Sequence, residues 1–278
     1  GACAIIIKAI ERRGFFEKGN ITMGRIITIT NQKGGVGKTT TAINLSACLA
    51  EAGQHVLLVD FDPQGNASSG LGLEKEDFEN TVYHMLTEEA APDKCIIKEI
   101  QPNLDLLPSD MNLAGAEIEF QEEENKEFML QGYLKRIRNL YDFILIDCPP
   151  SLNLLTINAL TAADTVIVPI QCEYYALEGL NQVLKTIDLV KRKLNPELEL
   201  EGVVFTMYDA RTNLSLEVVE SVKHSLNRTI YNTIIPRNVR LAEAPSHGMS
   251  INVYESRSTG AESYRMLAAE VMSRGEEI

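Results

Sequence analysis

The chain has 278 residues, of which 45% are hydrophobic, and a formal net charge of −13. This length is enough for one large α/β domain with a sizeable core. No uninterrupted apolar run of about 18 residues occurs, so no membrane-spanning helix is expected. The five cysteines form no C-x-x-C pair and have no histidine at ligand spacing. This pattern argues against a disulfide framework or a zinc site and indicates a cytoplasmic protein.

The negative charge is concentrated in one segment. From Glu74 to Glu127 there are 16 acidic and 4 basic residues, a net of −12, so the rest of the chain is close to neutral. From Val203 to His247 there are five bases and four acids, which permits a local basic face. The overall charge therefore does not exclude a nucleic-acid partner.

The first 22 residues do not read as a signal peptide. An apolar patch at Ala4–Ile7 precedes the charged run Glu11–Arg13, whereas a signal peptide has its charge first. Met23 looks like the natural start. We therefore expect residues 1–22 to be a leader of uncertain origin that is disordered or loosely packed, and residues 23–278 to form a single domain.

The first predicted element is a strand, loop and helix. The β-branched run Ile26–Thr30 predicts a buried strand, and apolar residues resume at helical spacing from Ala42 to Leu49. The intervening glycines let successive backbone N–H groups point at one anion, and the helix beginning near Lys38 adds its positive dipole end. Lys38 can reach the outer phosphates, and the Thr39 hydroxyl suits Mg²⁺. The stretch predicts a phosphate-binding loop.

Acidic residues end two further predicted strands. His55–Phe61 reads as a buried strand that runs into Asp60 and Asp62, and Phe143–Ile146 is followed directly by Asp147. An acid after four apolar residues fits the role of orienting a Mg²⁺-bound water. The carboxyl ends of parallel strands meet at one edge of a sheet, where open α/β sheets bind ligands. The loop and the acids are therefore expected to converge.

Later elements complete the prediction of the fold. Strands are predicted at residues 165–170 and 202–207, and helices at 173–193 and 260–273. Together the elements predict an α/β fold of the P-loop NTPase class, with a mainly parallel, twisted sheet flanked by helices on both faces.

The loop departs from the usual phosphate-loop pattern, because Gln32 stands where glycine is normal and Lys33 follows it. The resulting K-G-G-V-G-K-T resembles the deviant Walker A signature of partitioning ATPases, division-site ATPases and the nitrogenase iron protein. Further segments, VLLVDFDPQGNASSGLG, LIDCPPSLNLLTINAL, PIQCEYYALEGL, TMYDARTNL and IPRNVRLAEAPSHG, are similar to the ParA/Soj-type chromosome-partitioning ATPases. The resemblance covers residues 23 to about 274.

The resemblance implies a set of site residues. Catalytic roles would fall to Lys33, Lys38 and Asp62, with Lys33 reaching a partner subunit's nucleotide and Asp62 positioning the attacking water. Mg²⁺ would be held by Thr39, Asp60 and Asp147, and DNA would be bound by Arg211 and Arg240. ATP or ADP would contact the phosphate loop and an adenine-binding segment, that is Lys33, Gly34, Gly35, Val36, Gly37, Lys38, Thr39, Thr40, Pro236 and Asn238.

The function implied is an ATP-hydrolysing switch for chromosome or plasmid partitioning. An ATP-dependent sandwich dimer would bind double-stranded DNA non-specifically on the nucleoid, and a ParB-type centromere-binding protein would stimulate weak hydrolysis and release it. The alternative is a MinD-like, membrane-cycling division-site ATPase, although the C-terminal tail ends in acids rather than a basic amphipathic helix. An iron–sulfur carrier and a non-hydrolysing scaffold are further alternatives: Cys148 and Cys172 stand in no cluster motif, and Asp62 and Asp147 are both present.

Overall fold

The computed structural model describes residues 23–226 and 230–274, except for the side chain of Glu117. The expected leader, residues 1–22, lies outside the described residues.

The described part of the chain is organised around one eight-stranded sheet with the order β3-β4-β2-β5-β1-β6-β7-β8. Every neighbouring pair is parallel except β3 with β4, at one edge. The strands are β1 Arg25–Ile29, β2 Val56–Asp60, β3 Ile97–Gln101, β4 Leu104–Leu107, β5 Phe143–Asp147, β6 Thr165–Gln171, β7 Glu199–Tyr208 and β8 Ile230–Pro236.

Helices cover both faces of this sheet. Their bounds are α1 Lys38–Glu51, α2 Asn66–Gly70, α3 Val82–Leu86, α4 Pro92–Cys95, α5 Leu113–Glu119, α6 Met129–Ile137, α7 Leu154–Ala162, α8 Ala176–Lys193, α9 Asn213–Ser225, α10 Val239–Glu243, α11 Ile251–Tyr254 and α12 Thr259–Arg274. Short 3₁₀ turns lie at Lys75–Asp77, Phe120–Glu122, Lys126–Phe128, Arg138–Leu140 and Ala244–His247.

Two apolar cores form because successive strand residues point to opposite faces. Ile27 and Ile29 of β1 pack with α1 and α12, whereas Ile26 packs with the cluster that includes α6, α7 and α8. The central strands β2 and β5 are buried at every position, as expected for parallel strands covered on both sides. Among the described residues, no helix has the length and apolarity needed to cross a membrane.

The predicted fold class is confirmed, with small differences in the bounds of the elements. The predicted strand Ile26–Thr30 is Arg25–Ile29, and the helix predicted over 173–193 begins at Ala176. The structure adds β3, β4 and β8, which the sequence did not indicate. Strands β1, β2 and β5 end together, and this brings the phosphate loop and the acidic turns to one edge of the sheet.

Candidate nucleotide site

The loop between β1 and α1 forms an open cradle. Gly35 and Gly37 have φ of 73° and 86°, the left-handed region that glycine tolerates, and Gly37 is the N-cap of α1. A Cβ built on Gly34 or Gly35 would meet no described atom within 4 Å. The backbone of the loop is therefore open to a ligand, and its N–H groups and the α1 dipole favour an anion.

Polar side chains of the neighbouring strands hold the loop. The Thr206 hydroxyl donates to the Val36 carbonyl at 2.8 Å, and Asn31 Nδ2 donates to the Pro169 carbonyl at 2.8 Å. Asn31 Oδ1 in turn accepts the Lys33 N–H at 3.1 Å. Sequence reasoning missed Asn31 and Thr206, although a buried polar residue at the end of an apolar strand could have indicated them.

Lys38 lies over its own loop. Its side chain is almost fully buried, and its Nζ donates to the Lys33 carbonyl at 3.1 Å. Burial lowers the pKa of the Lys38 ammonium, and the charges of Asp147 and Asp62 oppose that shift. The structure therefore places a buried cation between the loop and the acidic strand ends, which suits contact with phosphate.

Asp60 and Asp147 lie side by side in the β2–β5 register, and both are fully buried. The Asp60 carboxylate accepts the backbone N–H and the hydroxyl of Ser68 at 2.8 and 2.7 Å. It also accepts the Asp62 N–H at 3.3 Å. Burial raises the pKa of Asp60 to about 6 even though these hydrogen bonds oppose the shift. Asp60 is therefore a well-anchored carboxylate that α2 helps to hold.

Asp147 differs, because neither of its carboxylate oxygens has a hydrogen-bond partner among the described residues. Burial, followed by the charge of Asp60, raises the pKa of Asp147 well above its usual range. The Thr39 hydroxyl lies close enough to lower that pKa, but its geometry falls short of a hydrogen bond. An unpartnered carboxylate beside a hydroxyl is the oxygen donor set that Mg²⁺ prefers, so these residues fit the ion.

Asp62 joins the same cluster from the turn after β2. It is buried, its Oδ1 accepts the Gln64 N–H at 3.0 Å, and its charge acts on both Lys38 and Asp147. The two aspartates lie close together, as the sequence predicted, because β2 ends at Asp60 and the chain turns before Asp62.

Lys33 faces away from this cluster. Its Nζ lies 2.5 Å from Glu173 Oε2, and both side chains remain partly exposed. Lys33 borders a groove of about 310 Å³, which is also lined by Tyr175, Glu178 and Gln182. The two lysines of the loop therefore occupy different surroundings: Lys38 is buried over the cradle, and Lys33 stands at an open surface.

The predicted adenine segment lies at the end of β8. Pro236 is the last residue of that strand, and Asn238 caps α10, with Oδ1 accepting the Arg240 N–H at 2.8 Å. Asn238 Nδ2 donates to Thr259 Oγ1 at 2.7 Å. Each end of the amide makes one of these bonds, so a second Nδ2 hydrogen and a second Oδ1 lone pair remain available beside the proline ring.

Both predicted DNA-binding arginines are exposed and paired with local acids. Arg211 Nη2 lies 2.6 Å from Asp209 Oδ2, with its side chain 85% exposed. The hydrogen bonds from Arg211 hold the pKa of Asp209 well below its usual range. Arg240 Nη1 lies 2.7 Å from Glu243 Oε2. Exposed pairs of this kind are weak, so a polyanion could compete for either guanidinium.

Comparison with known proteins agrees with this geometry. A family model described as "AAA domain" matches residues 24–200. The sporulation initiation inhibitor protein Soj of Bacillus subtilis is 57% identical over 253 residues, covering 91% of this chain and all of that protein. The chromosome partitioning protein ParA of Myxococcus xanthus is 51% identical over 258 residues, covering 93% and 91%.

The fold also matches a solved structure with a nucleotide. The cobyrinic acid a,c-diamide synthase of Mycobacterium smegmatis, solved with ADP and magnesium, aligns with a TM-score of 0.81 and 36% identity over 91% of this chain and 96% of that one. The open glycine cradle, the buried lysine and the unpartnered Asp147 carboxylate are the features that such ligands need. The chain belongs to the ParA/Soj-type family of P-loop chromosome-partitioning ATPases.

Proposed function

We propose that this protein is an ATP-driven switch for chromosome or plasmid partitioning. In this proposal ATP and Mg²⁺ stabilise a sandwich dimer, the dimer binds nucleoid DNA non-specifically, and a ParB-type partner stimulates slow hydrolysis that releases it. The protein would act in the cytoplasm, on the nucleoid. The names of the relatives support partitioning as the process, and the remaining steps are argued from the residues of this chain.

The chemistry of the cradle supports ATP hydrolysis. Residues Gly34 to Thr40 are proposed to bind the phosphates, with Lys38 neutralising their charge. Thr39, Asp60 and Asp147 are proposed to hold Mg²⁺ directly or through water, and the ion would supply charge neutralisation at the phosphates. Asp62, buried beside Lys38, is proposed to orient the attacking water.

The different positions of the two lysines are the main support for the proposed switch. Lys38 already lies over its own loop, whereas the Lys33 ammonium points to Glu173 at an open groove. A partly exposed ion pair contributes at most about 1 kcal/mol, so Lys33 can leave it. A lysine that reaches a second subunit's nucleotide adds a cation only when two subunits meet, which makes ATP part of the dimer contact.

The DNA step rests on Arg211 and Arg240. Each guanidinium is exposed and forms an ion pair with a carboxylate two or three residues away. Contacts of this kind to phosphates carry no base readout, so binding should be independent of sequence and steeply salt-dependent.

The decisive experiment is the ATPase rate of the full chain alone, with DNA, with a ParB-type protein from the same organism, and with both. We expect a low basal rate and strong stimulation only when both are present. Lys38→Ala is the control and should be inactive in all four conditions. A wild-type rate that neither addition changes would contradict the switch, although the protein would still be an ATPase.

Sedimentation with anionic liposomes tests the membrane-cycling alternative, for which ATP-dependent pelleting would be required.

A further inference from the structure

Strand β7 is irregular where it passes the phosphate loop. From Phe205 to Tyr208 it advances three residues while its parallel partner β8 advances two, from Ile234 to Pro236. Within this bulge Met207 has a φ of 50°, in the left-handed region that non-glycine residues rarely adopt. Such a conformation is strained and persists only where the surroundings hold it. Bulges of this kind re-aim the residues on either side.

One side of the bulge holds the phosphate loop. The Thr206 side chain is buried, and its hydroxyl donates to the Val36 carbonyl at 2.8 Å. A Cβ on Gly37 would lie 3.7 Å from Thr206 Cβ and 3.8 Å from Met207 Cε, which is ordinary contact distance. The bulge therefore packs directly under the turn at which the loop becomes α1.

The other side of the bulge leads to the arginine surface. The Tyr208 carbonyl accepts the Arg237 N–H at 2.9 Å, which ties the end of β7 to the segment after β8. The next residue, Asp209, accepts from Arg211 three times: from the backbone N–H at 3.0 Å, from Nε at 2.8 Å and from Nη2 at 2.6 Å. The run 206–211 thus joins the phosphate loop to a guanidinium proposed to bind DNA.

We infer that Thr206 is a positioning residue that couples nucleotide binding at the loop to the Arg211 surface through the bulge at Met207. A nucleotide that fixes the loop fixes the Val36 carbonyl, and the Thr206 hydroxyl passes that restraint to the backbone of β7. The inference rests on the proposed function, since it assumes that ATP and DNA bind at these two places. By linkage, DNA must then tighten nucleotide binding by the same factor by which nucleotide tightens DNA binding.

The test measures that factor in the full chain. Affinity for the magnesium complex of AMPPNP, which is not hydrolysed, is measured with and without a saturating short DNA duplex of arbitrary sequence. The matched variants are Thr206→Val, which keeps the shape and loses the donor, and Thr206→Ser, which keeps the donor. We expect DNA to increase the affinity for AMPPNP clearly in the wild type and in Thr206→Ser. In Thr206→Val the enhancement should fall about fivefold, the usual effect of one hydrogen bond.

The outcomes separate this inference from the proposed function. If DNA does not change AMPPNP affinity in the wild type, the proposed function fails. If the wild type shows the enhancement and Thr206→Val retains it, the inference is overturned, whatever happens to stability. A merely structural role would weaken AMPPNP binding equally with and without DNA, which also overturns it.

A second variant covers the case in which Thr206→Val does not fold. Met207→Gly keeps the Thr206 hydroxyl and frees the backbone of the bulge, because glycine adopts left- and right-handed conformations alike. AMPPNP affinity without DNA should stay near that of the wild type, while the enhancement by DNA should fall. An unchanged enhancement in Met207→Gly would count against the bulge as the connection.

Discussion

Replacing Asp147 by asparagine should make the ligand-free protein more stable and greatly reduce its stabilisation by Mg²⁺-nucleotide. Asp147 is fully buried and its carboxylate oxygens have no hydrogen-bond partner among the described residues. Burial and the neighbouring charge of Asp60 raise its pKa, whereas Thr39 and Lys38 lower it. The folded state therefore bears a cost, either as a buried charge or as the free energy of protonating the carboxyl group.

The size of the effect follows from that cost. An uncompensated buried charge costs several kcal/mol, and the interaction with Lys38 offsets part of it. The asparagine side chain in Asp147→Asn would keep the shape and leave a neutral polar group, for which the penalty is about 1–3 kcal/mol. The difference should raise the free energy of unfolding by about 1–3 kcal/mol. For a protein of this size, that corresponds to a Tm higher by roughly 2–10 °C.

Thermal unfolding followed by circular dichroism measures both halves of the prediction. With MgADP about 100-fold above its Kd, the wild type should gain about 2.7 kcal/mol, and Asp147→Asn should gain much less. Asp164→Asn is the matched control, because Asp164 Oδ2 accepts from Arg138 Nη2 at 2.7 Å and from the Ile26 N–H at 2.8 Å. It should lower the Tm and keep the MgADP response. A lower Tm and a full MgADP response in Asp147→Asn would contradict both the cost of burying Asp147 and its role in binding Mg²⁺.

Four further substitutions test the proposed roles directly. Asp62→Ala should keep ATP-dependent dimers in size-exclusion chromatography but lose turnover, and a wild-type hydrolysis rate would remove Asp62 from the mechanism. Lys33→Ala should bind ATP as a monomer and form no ATP dimer, so an ATP-dependent dimer in that variant would contradict the trans role. Arg211→Glu and Arg240→Glu should dimerise but lose DNA binding in gel shifts at low salt, whereas Arg192→Glu, also exposed and ion-paired, should not. Retention of DNA by both variants would move the DNA surface elsewhere.

The part of the fold that the sequence predicted is the part with the strongest burial pattern. Strands β1, β2 and β5 are continuous apolar runs because parallel strands are covered on both faces. The edge strands were missed for the opposite reason. In β3 the burial pattern is irregular. In β8 the burial alternates but the residue types do not, because the polar Thr233 fills a buried position and Ile230 and Ile234 fill half-buried ones. An edge strand has fewer neighbours to satisfy, so its sequence carries less of the periodic signal.

The residues of the candidate site also fall into those that the sequence predicted and those that it did not. Lys38, Asp60, Asp62 and Asp147 were predicted because each stands at a strand or helix end, where topology alone brings them together. Contacts between distant segments carry no local pattern. The pairing of Lys33 with Glu173 spans 140 residues and the Thr206 bond to Val36 spans 170, so neither could be read from spacing.

The charges around the phosphate loop explain how Lys33 would link nucleotide binding to dimerisation. Three carboxylates, Asp60, Asp62 and Asp147, lie in or beside a pocket where Lys38 is the nearby cation. The phosphates of a nucleotide would bring several negative charges next to these carboxyl groups, so binding would gain from a divalent cation and from any further positive charge. Lys33 is on the same loop yet turned outward to Glu173, and it cannot supply that charge without leaving its pair. In the proposed dimer a partner's Lys33 would supply that charge, and nucleotide binding and dimerisation would then strengthen each other.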